Sequence, residues 1–284
     1  MSDQAESFES LINGAWDIHV HAAPCVYPRK LDAFKLCQRA QESGMSGLVL
    51  KSHHGSTSEV AALISTYLNK IRVYGGVTLN RGVGGLNPAA VEASFKLGGK
   101  LVWLPTKDGV GHRKISAQST DNPITILDEQ GQIKETVKQI VCLVQKNDGV
   151  LATGHISREE IFALHHFIRS EFYDVKLLIN HSLFMTPDLD VADIKQLSDE
   201  YTYMECCHLT VSDLFNFRTA QSVAEIINQT PTTNWIVATD SGQPNNLFPV
   251  DSLKTFHGQL MAHGVSYERM KHYTDINPGY LLLD

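Results

Sequence analysis

The sequence predicts an α/β fold and, within that class, a (β/α)8 TIM barrel. Three observations lead there. Eight short apolar runs alternate with longer amphipathic stretches, the pattern of parallel strands covered on both faces by helices. The runs end in polar residues, repeatedly histidine, aspartate or glutamate, and strand ends are where a barrel carries its chemistry. No linker rich in Pro, Gly or Ser interrupts the 284 residues, so a single domain over 1–284 is expected. An open doubly wound sheet meets the strand count equally well; the polar strand ends favour the closed barrel.

The elements follow in order. Residues 15–21 (AWDIHVH) form the first strand, and helical spacing of Leu31, Phe34, Leu36 and Ala40 continues to Gly44, a C-cap residue. Residues 47–51 are the second strand and 57–69 a helix opened by Ser/Thr caps. A third strand covers 71–79, and Pro88 opens the helix that runs to Leu97. Residues 100–104 are the fourth strand. A polar, turn-rich insertion at about 106–133 follows, with 124–127 and 130–133 reading as a small hairpin. Helix 134–146, strand 150–153, helix 157–171, strand 175–179, helix 191–200, strand 201–205, helix 219–229 and strand 234–239 complete the alternation. Helices at 250–263 and 266–272 close the chain.

Composition bounds the function. Apolar residues make up 43% and charged residues 19%, which excludes wholesale disorder. The net charge of −7 and the absence of a Lys/Arg stripe argue against nucleic acid as a partner. The start, MSDQAES, is acidic rather than signal-like, and no apolar stretch nears the ~20 residues of a membrane span. The five cysteines are odd in number, irregularly spaced and without C-x-x-C, which suits a reducing cytoplasm. A homo-oligomer stays open, because the outer helix faces show no clear excess apolar stripe.

Histidine is the unusual component: 13 in 284 residues, roughly twice ordinary usage. His19 and His21 lie two apart on a strand and so share a side. His155, His181 and Asp240 stand at three further strand ends. Imidazole nitrogens plus one carboxylate suit Zn, with Mn or Fe as alternatives, and leave a coordination position for water.

On Asp17-Ile18-His19-Val20-His21, followed in order by His155, His181 and Asp240, the chain resembles the metal-dependent amidohydrolase superfamily. The stretch Thr274-Asp275-Ile276-Asn277-Pro278-Gly279-Tyr280-Leu281-Leu282 also looks like its closing N-P-A-x-x-L segment. The resemblance implies that His19, His21 and Asp240 bind a deep divalent metal. It implies that His155 and His181 bind a second ion, or divide between one ion and the substrate. Asp240 would take the proton of the attacking water. The chain departs from the superfamily in two respects. The fourth strand ends in Leu104-Pro105-Thr106-Lys107 without the bridging carboxylated Lys or Glu, while Lys51 ends the second strand. Lys51 could be carboxylated, bind substrate as a cation, or be structural. No flanking β-sandwich fits before residue 15, which places the chain with compact members.

Other residues are weighed against ordinary roles. Of His53 and His54, one faces the mouth and the other away, and His54 is favoured as the contact. Glu205 is expensive on an apolar strand unless paired, ligating or touching substrate. Arg81 is a substrate-anion clamp or a surface ion pair. The glycine-rich loop 82–88 lacks the Gly-Lys-Ser/Thr ending of a P-loop. Thr106, Lys107, His112 and Arg113 sit on the insertion, which could act as a lid. There is no Gly-x-Ser-x-Gly elbow, and Cys206-Cys207 has no base. The expected function is a metal-dependent hydrolase of a small, anionic amide, lactam, lactone or ester, with Asp240, His181 and Lys51 as catalytic groups. The alternative is a metal-dependent non-oxidative decarboxylase of a small acid. A non-catalytic barrel is disfavoured because the ligand set would have no packing purpose.

Overall fold

A computed structural model describes residues 10–113 and 122–283. The acidic N-terminal start and the centre of the expected insertion lie outside the described residues. Nine strand segments form eight staves, all paired in parallel: β1 (Trp16–His21), β2 (Gly47–Lys51), β3 (Arg72–Tyr74), β4 (Gly76–Thr78), β5 (Leu101–Trp103), β6 (Val150–Ala152), β7 (Lys176–Ile179), β8 (Thr202–Cys207) and β9 (Asn234–Ala238). The ring closes where Val20 pairs in parallel with Ser241: His21 N donates to Ser241 O at 2.8 Å and Asp240 N to His19 O at 2.8 Å.

The third predicted strand is split at Gly75. A Cβ there would lie 2.5 Å from the Thr57 backbone, and Thr57 N itself bonds Gly76 O. The chain therefore kinks past the start of α2. Helices α1 (Ala33–Glu42), α2 (Ser58–Ser65), α3 (Pro88–Lys96), α4 (Val110–Arg113), α5 (Glu135–Lys146), α6 (Arg158–Glu171), α7 (Val191–Leu197), α8 (Ala220–Gln229) and α9 (Pro249–Ala262) follow, and all but α4, which was not predicted, match predicted helices, α2 and α7 ending a turn early. The short α4 falls in the insertion. The C-terminal helix continues past the predicted 272 to Leu282.

Two apolar layers result. Leu48, Leu50, Val102, Leu104, Leu151, Leu177 and Val237 face outward against the helices. Trp16, Ile18, Val49, Leu101, Trp103, Leu178, Ile236 and Ala238 fill the barrel interior, which Leu281 and Leu282 help to cover. Alternation alone would then turn His19 and His21 outward, because Trp16 and Ile18 already point in. A β-bulge between Asp17 and Val20 resets the register against β2. It lets the lower half of β1 pack the core and its upper half serve the mouth.

The hairpin of the insertion forms, with Leu127 opposite Ile133. It is pinned by Glu160 at the start of α6. One Glu160 oxygen accepts from Thr125 Oγ1 (2.6 Å) and Ile126 N (2.9 Å), and the other takes part in a capping box with Ser157.

Candidate metal centre

The strand ends supply the site. Asp240 follows β9 with φ +50° and His181 follows β7 with φ +29°. Left-handed backbone is uncommon for such residues and concentrates at functional positions. It turns both side chains toward the mouth immediately beyond the strand. Two glycines permit the tight packing around them. A Cβ on Gly154, before His155, would meet Leu104 O at 2.2 Å, and one on Gly242 would meet His21 O at 2.1 Å. Asp17 ties the two closing strands, accepting from Thr239 N (3.1 Å) and Thr239 Oγ1 (2.6 Å). Burial raises its carboxyl to about 7, against the pull of those bonds.

At the bottom of the mouth, His19 Nε2 and His21 Nε2 lie 3.2 and 3.1 Å from Asp240 Oδ1. The three donor atoms fall within 4.8 Å of one another, and all three residues are buried. Each ring is fixed through its other nitrogen. His19 Nδ1 lies 2.9 Å from Glu205 Oε2, His21 Nδ1 3.0 Å from Lys51 O, and His181 Nδ1 2.9 Å from Thr186 O. An acceptor at Nδ1 selects the Nδ1–H tautomer and leaves Nε2 as a bare lone pair, the arrangement metal-ligating histidines show. Burial holds His21 down at about 3 and His181 at about 4, so both are neutral, the ligating form. Burial lowers His19 too, but the Asp240 and Glu205 carboxylates outweigh it and keep the ring near 9, so a divalent ion must displace the Nε2 proton before the Nδ1–H tautomer with its free lone pair can ligate. Burial opposes charge on Asp240, yet His19 and His21 hold its carboxyl well below the usual range. The donor set fits a divalent cation.

A second trio, His19, Glu205 and Cys207, also clusters. It fits an ion poorly. His19 Nδ1 is committed to Glu205, and burial together with the Glu205 charge pushes the Cys207 thiol far above its ordinary value, so no thiolate forms.

Lys51 points into the barrel, its Nζ 2.9 Å from His19 Nε2 and 5.5 Å from the Trp103 ring. Burial lowers its pKa, and nearby Asp240 and Glu205 oppose that. An ammonium here and a cation at the three donors compete for the same His19 lone pair.

Above these groups opens a cavity of about 590 Å³ whose wall includes His21, His53, His112, His155, His181 and Asp240. His155 and His181 rings are 4.8 Å apart, and His155 Nδ1 lies 3.1 Å from His112 Nδ1. Lys51 lies beneath this wall. Glu205 does not reach the cavity either. It is fully buried behind His19 and also accepts from Asn180 Nδ2 (3.1 Å) and His181 N (2.8 Å). Its place as a substrate contact is thus corrected to that of a carboxylate orienting His19. Arg81 is likewise off the wall, bound to Asp108 and to Asn122 O, described residues on either side of the insertion's centre. His54 packs against Tyr27 and His53 takes the inner position instead. The signal was in the sequence: His53 lies two residues after inward-facing Lys51 and shares its side. His112 was legible only as an insertion residue, since its approach to His155 depends on how that segment folds.

A protein family described as of unknown function (DUF6282) matches residues 14–205. The chain belongs to this family. The matched region carries His19, His21, Lys51, His155, His181 and Glu205, and ends before Asp240. Among curated proteins there is no match. Solved structures share the fold. An amidohydrolase from Pseudomonas aeruginosa aligns with TM-score 0.65 at 12% identity, over 99% of this chain and 98% of that one. A dihydroorotase aligns with TM-score 0.58 at 14% identity, over 95% and 82%. A 2,6-dihydroxybenzoate decarboxylase from Rhizobium aligns with TM-score 0.57 at 10% identity, over 95% and 98%. The architecture of this DUF6282 chain is thus the barrel fold that the amidohydrolase, the dihydroorotase and the decarboxylase share. Among the described residues, no helix is long and apolar enough to cross a membrane.

Proposed function

We propose that the chain is a metal-dependent hydrolase of the amidohydrolase type, cleaving a small amide, lactam, lactone or ester. The observation that carries this reading is the buried group of His19 Nε2, His21 Nε2 and Asp240 Oδ1, each ring anchored through Nδ1 and the group open to a cavity. A divalent ion held there, zinc being the ion such donors suit best and Mn or Fe the alternatives, supplies Lewis acidity to a carbonyl oxygen and a lowered pKa to water. Asp240 stays ionised. With Oδ1 shared by two imidazoles, its Oδ2 is the atom that accepts the proton and returns it to the leaving group. His181, neutral and with Nδ1 committed to Thr186 O, presents Nε2 as an acceptor that orients the reacting water or substrate. His155 and His112 stand further along the same wall as substrate contacts. Lys51 tunes the basicity of His19 from below.

A second reading, decarboxylation of a small acid, is favoured by one observation. Among the described residues only one compact donor group faces the cavity, and no carboxylate bridges it to a second group. The same fold is also found in the Rhizobium decarboxylase.

Elemental analysis of protein purified from metal-supplemented medium tests both readings, with His19→Ala and His21→Ala alongside. Bound metal in the wild type, lost in both variants together with turnover of an ester, lactone and amide panel, is expected. Turnover that releases CO2 instead selects the second reading. Metal-free wild type, or variants with full metal content, overturns the site.

A further inference from the structure

The wall of the cavity around the donor group is not chemically neutral. Lys107, just after the Pro105-Thr106 turn that follows β5, and Arg29, from the long β1–α1 loop, both line it. Among the described residues neither has a carboxylate partner. Arg29 Nε donates to Cys25 Sγ at 3.3 Å, and both cations lie 5.9 Å from the Tyr27 ring centroid. Two cations drawn together without a counter-charge repel each other, and partial burial makes each charge costlier. Burial, and then Arg29, depress the Lys107 ammonium, Asp240 being the carboxylate that opposes them. By contrast, Arg81 next along the rim is neutralised by Asp108.

The same wall also carries an apolar group. Phe184, Met185, Leu209 and Phe215 line it, and the two phenyl rings meet edge to face with centroids 5.2 Å apart. Phe184 and Leu209 are buried, while Phe215 is 45% exposed. A cavity of about 590 Å³ lies within the range of about 300–1,000 Å³ that holds small ligands.

We infer that this cavity binds a small molecule with an anionic terminus, carboxylate or phosphate, seated between Lys107 and Arg29 and an apolar, ring-sized body on Phe184 and Phe215. The bond to be broken then lies toward His21, His181 and Asp240. That last placement rests on the proposed hydrolase chemistry, whereas the binding itself does not. Arg29 and Lys107, rather than Arg81, set the preference for an acid.

The test measures dissociation constants of phenylacetate, phenylphosphonate and the neutral phenylacetamide by ligand-observed NMR. The protein is used as purified and again after chelation. Wild type should bind at least one anion about tenfold or more tighter than the amide, in both states. The Lys107→Met/Arg29→Met double variant should lose that preference while keeping its metal content, its melting temperature and its affinity for the amide. Phenylacetate or phenylphosphonate as the tighter ligand identifies the anion. Equal binding of acid and amide by wild type overturns the inference. So does a preference that survives in the double variant, or one that vanishes on chelation alone, since the anion would then sit on the metal. Absence of metal overturns only the proposed reaction; the anion preference stands or falls separately.

Discussion

Replacing Glu205 by Gln isolates what the carboxylate behind His19 contributes. Its Oε2 accepts three bonds, from His19 Nδ1 (2.9 Å), His181 N (2.8 Å) and Asn180 Nδ2 (3.1 Å). The His19 ring and its proton hold this carboxyl down at about 2, against burial that would raise it. Gln keeps the shape and an acceptor oxygen but removes the charge. The His19–Glu205 contact becomes a neutral hydrogen bond, and Nε2 becomes a weaker donor to a cation. Loss of such an orienting carboxylate costs about 10–100-fold in metal affinity, or about 1.4–2.8 kcal/mol. A second cost falls on folding. Oε1 has no partner among the described residues, so the amide NH2 placed there is buried without an acceptor, at about 1–3 kcal/mol. Zinc affinity is read by competition with a chromophoric chelator and stability by urea unfolding of the metal-free protein. Weaker zinc binding in a folded protein is expected, with a lowered urea midpoint. Unchanged zinc affinity would refute the argument that Glu205 acts through His19. Unchanged affinity for a substrate mimic such as phenylacetamide is also expected, because Glu205 does not line the cavity.

Three further expectations follow from the geometry. Asp240→Asn should retain most of its metal, since an amide oxygen can still ligate, yet lose about 10²–10⁴ in kcat for whichever substrate the panel finds; near wild-type kcat with an unchanged pH profile would assign the base elsewhere. Gly242→Ala places a Cβ 2.1 Å from His21 O at φ +130°, so a loss of roughly 3 kcal/mol or more and a melting temperature lower by about 6–12 °C are expected in a thermal scan. His257, fully buried on α9 with neither ring nitrogen partnered among the described residues, is held by burial at about 3. Because this folded value lies below the unfolded one near 6.5, stability is complete above pH 6.5 and lost as pH falls toward 3. Urea unfolding should show wild type losing about 2 kcal/mol between pH 7 and 5 relative to His257→Leu, and parallel pH dependences would contradict this.

The alternation of strands and helices is legible in the residues alone, because apolar runs and amphipathic periods are local properties of the chain. The same pattern shows which polar residues stand near the strand ends, and so points to His19, His21, His155, His181 and Asp240. What it could not supply was direction. The bulge after Asp17 depends on how β1 pairs with β2, and without it alternation would have turned His19 and His21 away from the mouth. Depth was equally hidden. Glu205, inside β8 rather than at its predicted end, and Lys51, at the end of β2, both face inward, yet they lie beneath the cavity because the donor group sits above them. Loop geometry decided the rest: His53 rather than His54 faces inward, His112 meets His155, and among the described residues Lys107 is left without an ion-pair partner while Arg81 finds Asp108. Periodicity is set by neighbours along the chain. Which charge stands beside which is set by segments far apart in sequence, and only closure of the barrel brings those segments together.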